Sequence, residues 1–135
     1  MKKKLNVAAL IFKDDLLVIG RKEPGRGPYP DTWHIPGGFV DEDENLDEAL
    51  IREVKEETNL NVMDLEKVSF DTAIIPNHNG IETYYVFLQY RCKYKGGELE
   101  PLDDLKELMW MPIKDAMKYE LNAPTLALLK KLGYL

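Results

Sequence analysis

Residues 38–60 read Gly38-Phe39-Val40-Asp41-Glu42-Asp43-Glu44-Asn45-Leu46-Asp47-Glu48-Ala49-Leu50-Ile51-Arg52-Glu53-Val54-Lys55-Glu56-Glu57-Thr58-Asn59-Leu60. Asn45 with Glu48 three residues on is a capping-box-like helix start. Thr58-Asn59 is a helix stop, because asparagine tolerates the left-handed backbone such stops need. At about 100° per residue, Glu53, Glu56 and Glu57 fall within a sector of roughly 100°. Leu46, Ala49 and Leu50 fall in or next to the same sector, so the carboxylates continue the stripe that the first turns bury. Three carboxylates on an inward-leaning face repel one another and are costly to desolvate. A bound divalent cation removes both problems. Magnesium prefers oxygen ligands and keeps several waters, which suits a half-open cluster beside a phosphate. On helical geometry alone the other reading, Glu56 and Glu57 on a solvated face, stays open.

Outward from this helix the chain reads as strands. Leu5 to Phe12 and Leu16 to Arg21 form a hairpin across Lys13-Asp14-Asp15. Glu23 to Asp31 is a loop rich in proline and glycine. Trp33-His34-Ile35 reads as a short strand stopped by Pro36-Gly37-Gly38, with His34 turned to the surface. Val62 to Ile75 and Ile81 to Tyr94 are strand-rich, joined by the turn Pro76-Asn77-His78-Asn79-Gly80. Leu108 to Met111 is a further strand, and Ile113 to Tyr119 and Pro124 to Leu132 look helical. Strands interleaved with helices predict an α+β fold, a mixed sheet covered by helices, as a single domain over residues 1–135.

Composition narrows the function. A hydrophobic fraction of 44% and a charged fraction of 31% exclude disorder. One cysteine, Cys92, excludes an intramolecular disulfide and a multi-thiolate zinc site; its alternating surroundings make it a small buried residue. No apolar run approaches a membrane span, and Met1-Lys2-Lys3-Lys4 leads no signal sequence, so the expected location is the cytoplasm with no membrane partner. A net charge of −6 argues against stable nucleic-acid binding. An acidic protein that handles phosphates usually does so through a bound cation.

The stretch resembles the Nudix box: Gly, five residues, Glu, seven residues, Arg-Glu, an aliphatic residue, any residue, Glu-Glu, any residue, Gly, aliphatic. Gly38, Glu44, Arg52, Glu53, Val54, Glu56, Glu57 and Leu60 match, and Asn59 stands where the family has glycine. Trp33 to Gly38 and Trp110-Met111-Pro112 resemble the family's lead-in and late tryptophan strand. The resemblance implies an α/β/α sandwich and a metal-dependent hydrolase of phosphoanhydrides. It implies that Glu53, Glu56 and Glu57 hold Mg2+ or Mn2+, that the Gly37-Gly38 backbone approaches metal and substrate, and that Glu44 and Arg52 support the cluster. Asp104, six residues before Trp110, is the candidate catalytic base among the acids Glu98, Glu100, Asp103, Asp104 and Glu107.

The implied partner is a nucleotide-type small molecule; a homodimer is left open. Tyr29, Trp33, Phe70, Tyr84 and Tyr85 are candidates to stack on its base, though each also suits core packing, and His78 is a candidate contact. Pro76 lies at the offset from the box where ADP-ribose-cleaving members carry a proline, which favours an ADP-ribose-type substrate. MutT-like cleavage of nucleoside triphosphates is the alternative. A sensing module without catalysis is a third reading, disfavoured by the intact box and by a chain ending at Leu135.

Overall fold

The structure is a computed structural model that describes residues 1–26, 29–77 and 79–135. In chain order the elements are β1 (Lys2–Lys13), β2 (Leu16–Lys22), β3 (Gly37–Phe39), α1 (Leu46–Thr58), β4 (Asn61–Pro76), β5 (Glu82–Gly96), β6 (Leu105–Pro112), a 3₁₀ turn (Ile113–Lys118) and α2 (Ala123–Lys131). The main strand order is β4-β5-β1-β2-β6, with β3 paired to β1. β1 and β5 run parallel and the other pairs are antiparallel, so the sheet is mixed, as expected.

Strand alternation sends Val7, Ala9 and Ile11 to one face and Leu10 to the other. The first set packs with Ala49, Leu50 and Val54 of α1; the second packs with Leu128 and Leu129 of α2. One helix therefore covers each face, which makes the α/β/α sandwich. Cys92 is buried on the α1 side, as expected, and burial pushes its thiol up to about 12. Among the described residues, no helix is long and apolar enough to cross a membrane.

The feature that builds the site is a split. β1 pairs with β2 only at Phe12–Leu17 and Lys13–Leu16, then the two strands diverge. Residues 33–39 enter the gap. His34 exchanges backbone hydrogen bonds with Gly20, the Ala9 amide donates to the Pro36 carbonyl at 2.9 Å, and β3 pairs with Asn6 to Ala8. The regular strand is thus Gly37–Phe39, and Trp33 and His34 form isolated bridges instead of the strand expected at Trp33–Ile35. The cause is steric. A side chain at Gly37 would collide with the Val7 carbonyl and the Ala8 backbone, so glycine alone lets the segment reach β1.

His34 also departs from expectation. Its ring is turned inward. Nδ1–H donates to the Ile35 carbonyl at 3.0 Å, Nε2 is buried without a partner, and burial lowers its affinity for a proton. Phe70, expected to suit the core, is 70% exposed on the edge strand β4.

Candidate active site

α1 begins where the sequence indicated. The Glu48 amide donates to Asn45 Oδ1 at 2.9 Å, and Asn45 Nδ2 donates to Glu48 Oε1 at 2.7 Å. The helix ends at Asn59 with φ 65°, in the left-handed region. Its last carbonyls would otherwise lack partners. The loop before β6 supplies them: the Glu100 amide donates to the Thr58 carbonyl at 3.1 Å and the Leu102 amide to the Glu57 carbonyl at 3.0 Å. Asn59 Nδ2 adds a bond to the Glu98 carbonyl at 3.1 Å. This stitching brings the acids of that loop beside the box. Carboxylate oxygens of Glu57, Asp103 and Asp104 all lie within 4.8 Å of one another. Asp104, the expected acid, is there, and its neighbour Asp103 joins it.

The three box glutamates occupy graded depths. Glu57 is buried, Glu53 half-buried, and the Glu56 side chain is 51% exposed. Burial first, and then the charges of Asp104 and Glu53, push Glu57 up to about 8, although the Gly37 amide donates to its Oε1 at 2.8 Å. Burial likewise raises Glu53, helped by Glu56 and Asp103 and opposed by Arg52. Glu53 lies against Gly38: a β-carbon there would overlap its carboxylate. Gly38 is therefore the space that Glu53 fills.

Arg52 organises the rim. Its guanidinium donates to Glu44 (Nε to Oε2, 2.9 Å), Glu53 (2.9 Å), Glu56 (3.1 Å) and the Phe39 carbonyl (2.9 Å). The bond from Arg52, with a second from the Asp41 amide, holds Glu44 down at about 2. Lys22 reaches Asp104 at 3.2 Å. The donor set, carboxylate oxygens of Glu57, Asp103 and Asp104 gathered around a buried position, suits a hard divalent cation.

The other candidates fall into different settings. Trp33 is half-buried against the α2-side core, with the Arg21 guanidinium 4.6 Å above one ring face and Tyr119 edge-on at 6.2 Å, so its ring is used in packing. Tyr29 is exposed, its carbonyl accepting from Thr32 at 2.6 Å. Tyr84 is half-buried, and Tyr85 stacks on both Phe39 (6.1 Å) and Phe87 (5.7 Å). Pro76 is distant from the box. Ile75 pairs with Thr83 and Thr83 with Lys2, whereas Gly38 pairs with Val7. At about 3.3 Å per strand residue that separation is on the order of 20 Å along the sheet. His78 lies outside the described residues.

Phe39 and Phe87 escaped the sequence reading. Phe39 sits inside the motif, where attention goes to the glycine before it, and Phe87 is one apolar residue in an apolar strand.

Residues 2–132 match the NUDIX domain family, and the chain belongs to it, a family of hydrolases. Among full-length relatives it is 27% identical to nucleoside triphosphatase NudI of Escherichia coli K12, covering 100% of both chains. Its fold is similar to that of a MutT NUDIX hydrolase from Burkholderia pseudomallei (TM-score 0.82, 23% identity, 96% of this chain and 98% of that one). It is similar as well to the NUDIX domain of Shewanella oneidensis NrtR, solved with ADP ribose (TM-score 0.74, 18% identity, 98% and 86%).

Proposed function

We propose that the protein hydrolyses a nucleoside triphosphate to a nucleoside monophosphate and pyrophosphate, using Mg2+ or Mn2+ held by Glu53, Glu56 and Glu57 with the Gly38 backbone alongside. The observation that carries the reading is the crowding of box and loop acids: Glu57 is surrounded by Asp103, Asp104 and Glu53 and shifted toward its protonated form. A divalent cation supplies charge neutralisation on the polyphosphate and acidifies water. The chain's own residues do the rest. Arg52 fixes Glu53 and Glu56, the Gly37 amide fixes Glu57, and Asp104 accepts the proton of the attacking water while Lys22 holds it at the rim.

The triphosphate is preferred over ADP-ribose for two reasons. Full-length relatives carry the name nucleoside triphosphatase. Pro76, the residue that favoured ADP-ribose, stands at the far end of the β4–β5 hairpin and borders none of these acids. ADP-ribose is retained as the second reading because the NrtR domain, similar in fold, was solved with it.

The test is a comparison of kcat/KM for nucleoside triphosphates, ADP-ribose and dinucleoside polyphosphates at saturating magnesium. The expected result is a triphosphate as the best substrate. ADP-ribose ahead by tenfold, about 1.4 kcal/mol in transition-state stabilisation, would reverse the assignment.

A further inference from the structure

The buried Nε2 of His34 has no hydrogen-bond partner among the described residues. Nδ1 donates to the Ile35 carbonyl, so Nε2 carries a bare lone pair. An unpaired buried acceptor destabilises a fold until a donor reaches it. The place of the ring limits which donor can. Trp33 and Ile35 pack into the α2-side core, so alternation turns His34 to the α1 side. There it stands opposite Gly20 of β2. Val18 packs on the α1 side, and alternation sends Gly20 and Lys22 to the same face. The bulge beside Lys22 leaves this intact, because its extra residue, Lys106, is on β6: Arg21 pairs with Glu107 and Lys22 with Leu105. Lys22 is thus the diagonal neighbour of His34, roughly 7–8 Å away, a span that a long side chain covers. Its Nζ reaches Asp104 Oδ2 at 3.2 Å. The charges of Lys22 and Asp104 both act on the His34 ring.

We infer that the Lys22 ammonium has two alternative partners, Asp104 Oδ2 and His34 Nε2, and that it turns to His34 when a divalent cation enters the acid cluster. This rests on the proposed function and refines it, since the hold of Lys22 on Asp104 becomes one of two positions. An ammonium has three N–H donors on a flexible four-carbon stem, so a change of partner needs no movement of the backbone. Electrostatics drive the change. The carboxylates of Glu57, Asp103 and Asp104 attract a positive side chain. Once the same oxygens hold a second positive charge, that side chain is repelled. Nε2 is a neutral acceptor, so it holds the ammonium without drawing it back into the cluster. With Lys22 on His34, Asp104 is free of the ammonium and its lone pair is open to the proton of the attacking water. His34 touches Lys22 and no reacting atom, which makes it a positioning residue.

The experiment is a Mg2+ titration of 15N-labelled protein without substrate. The Gly37 amide signal reads occupancy, and the ring nitrogens of His34, one of two histidines in the chain, are assigned by their loss in His34→Gln. The Nε2 signal should move toward the hydrogen-bonded range as Mg2+ binds. In Lys22→Met it should stay in place although the Gly37 amide still moves. By calorimetry His34→Phe should bind Mg2+ at least tenfold more weakly than the wild type. Lys22→Met combined with His34→Phe should recover the affinity, because no ammonium remains to be moved. His34→Gln, whose amide oxygen is an acceptor, should keep most of it. Should His34→Phe fail to fold, His34→Leu makes the same comparison, and the ring measurement needs only the wild type and Lys22→Met. A Nε2 signal that stays still as Mg2+ binds, or moves equally in Lys22→Met, would overturn the inference. So would wild-type affinity in His34→Phe, or weak binding that persists in the double variant. Absence of any Mg2+ binding would overturn it together with the metal reading beneath it. Failure to hydrolyse any triphosphate while these shifts appear would refute the proposed function alone.

Discussion

The Gly37 amide donates to Glu57 Oε1 across 2.8 Å, tying the strand that precedes the motif to the last turn of its helix. The bond aims a buried carboxylate at Asp103 and Asp104 and leaves it short of cations. Its consequences are measurable.

Stability without metal should fall with rising pH. Glu57 titrates at about 8 in the folded chain against an ordinary value of 4.5, so over that interval the folded state holds a proton that the unfolded state has released. The contribution is whole below 4.5 and is lost as pH climbs through 8. Melting temperatures of chelator-treated protein should therefore drop across this window, and Glu57→Gln should flatten the slope. An unchanged slope in the variant would remove Glu57 as its source.

Metal removal should abolish turnover. Chelation should silence the enzyme and Mg2+ or Mn2+ should restore it. Glu53→Gln and Glu57→Gln should each lower kcat by orders of magnitude with circular dichroism unchanged. Arg52→Ala removes the brace on Glu53 and Glu56, not a ligand, and should cost roughly 10–100-fold in activity or metal affinity. Full activity in chelator would sink the metal reading.

Gly38→Ala tests a steric claim. The new methyl occupies the space of the Glu53 carboxylate, so that group must turn away. Activity should fall about as far as in Glu53→Gln, because in both variants the Glu53 carboxylate no longer stands where Arg52 and Gly38 hold it. Wild-type kcat in Gly38→Ala would show that Glu53 needs no such berth.

At Asn59, φ 65° separates backbone from side-chain effects. Asn59→Ala should destabilise by up to about 1–2 kcal/mol, because alanine keeps the β-carbon that is strained in the left-handed region and lacks the polar side chain by which asparagine offsets that strain. Asn59→Gly, the family's usual residue, should keep stability near the wild type. Both lose the bond to the Glu98 carbonyl, so both should raise hydrogen exchange in residues 97–104. Equal melting temperatures for the two variants would argue against a backbone origin.

The sequence by itself determined what depends on neighbours along the chain. Helix caps at Asn45 and Asn59 and the two-residue alternation of β1 and β5 are local properties, and they appear where their residues predicted; of the three box glutamates the helix buries Glu57, half-buries Glu53 and leaves Glu56 exposed. The motif carried the family for the same reason, since its functional groups lie within one loop and one helix. Only the tertiary structure decided what depends on residues far apart. β3 formed at Gly37–Phe39 because β1 and β2 diverge and admit a strand whose first two residues are glycines, which no periodicity in three residues announces. Asp103 and Asp104 reached Glu57 because the loop's amides met the helix's last carbonyls. Pro76 was carried away from the box by a hairpin whose length is plain in the sequence but whose direction is set by pairing with β1. His34 turned inward and Gln89 was left unpaired through burial, a property of packing that a strand's pattern states only for its own two faces.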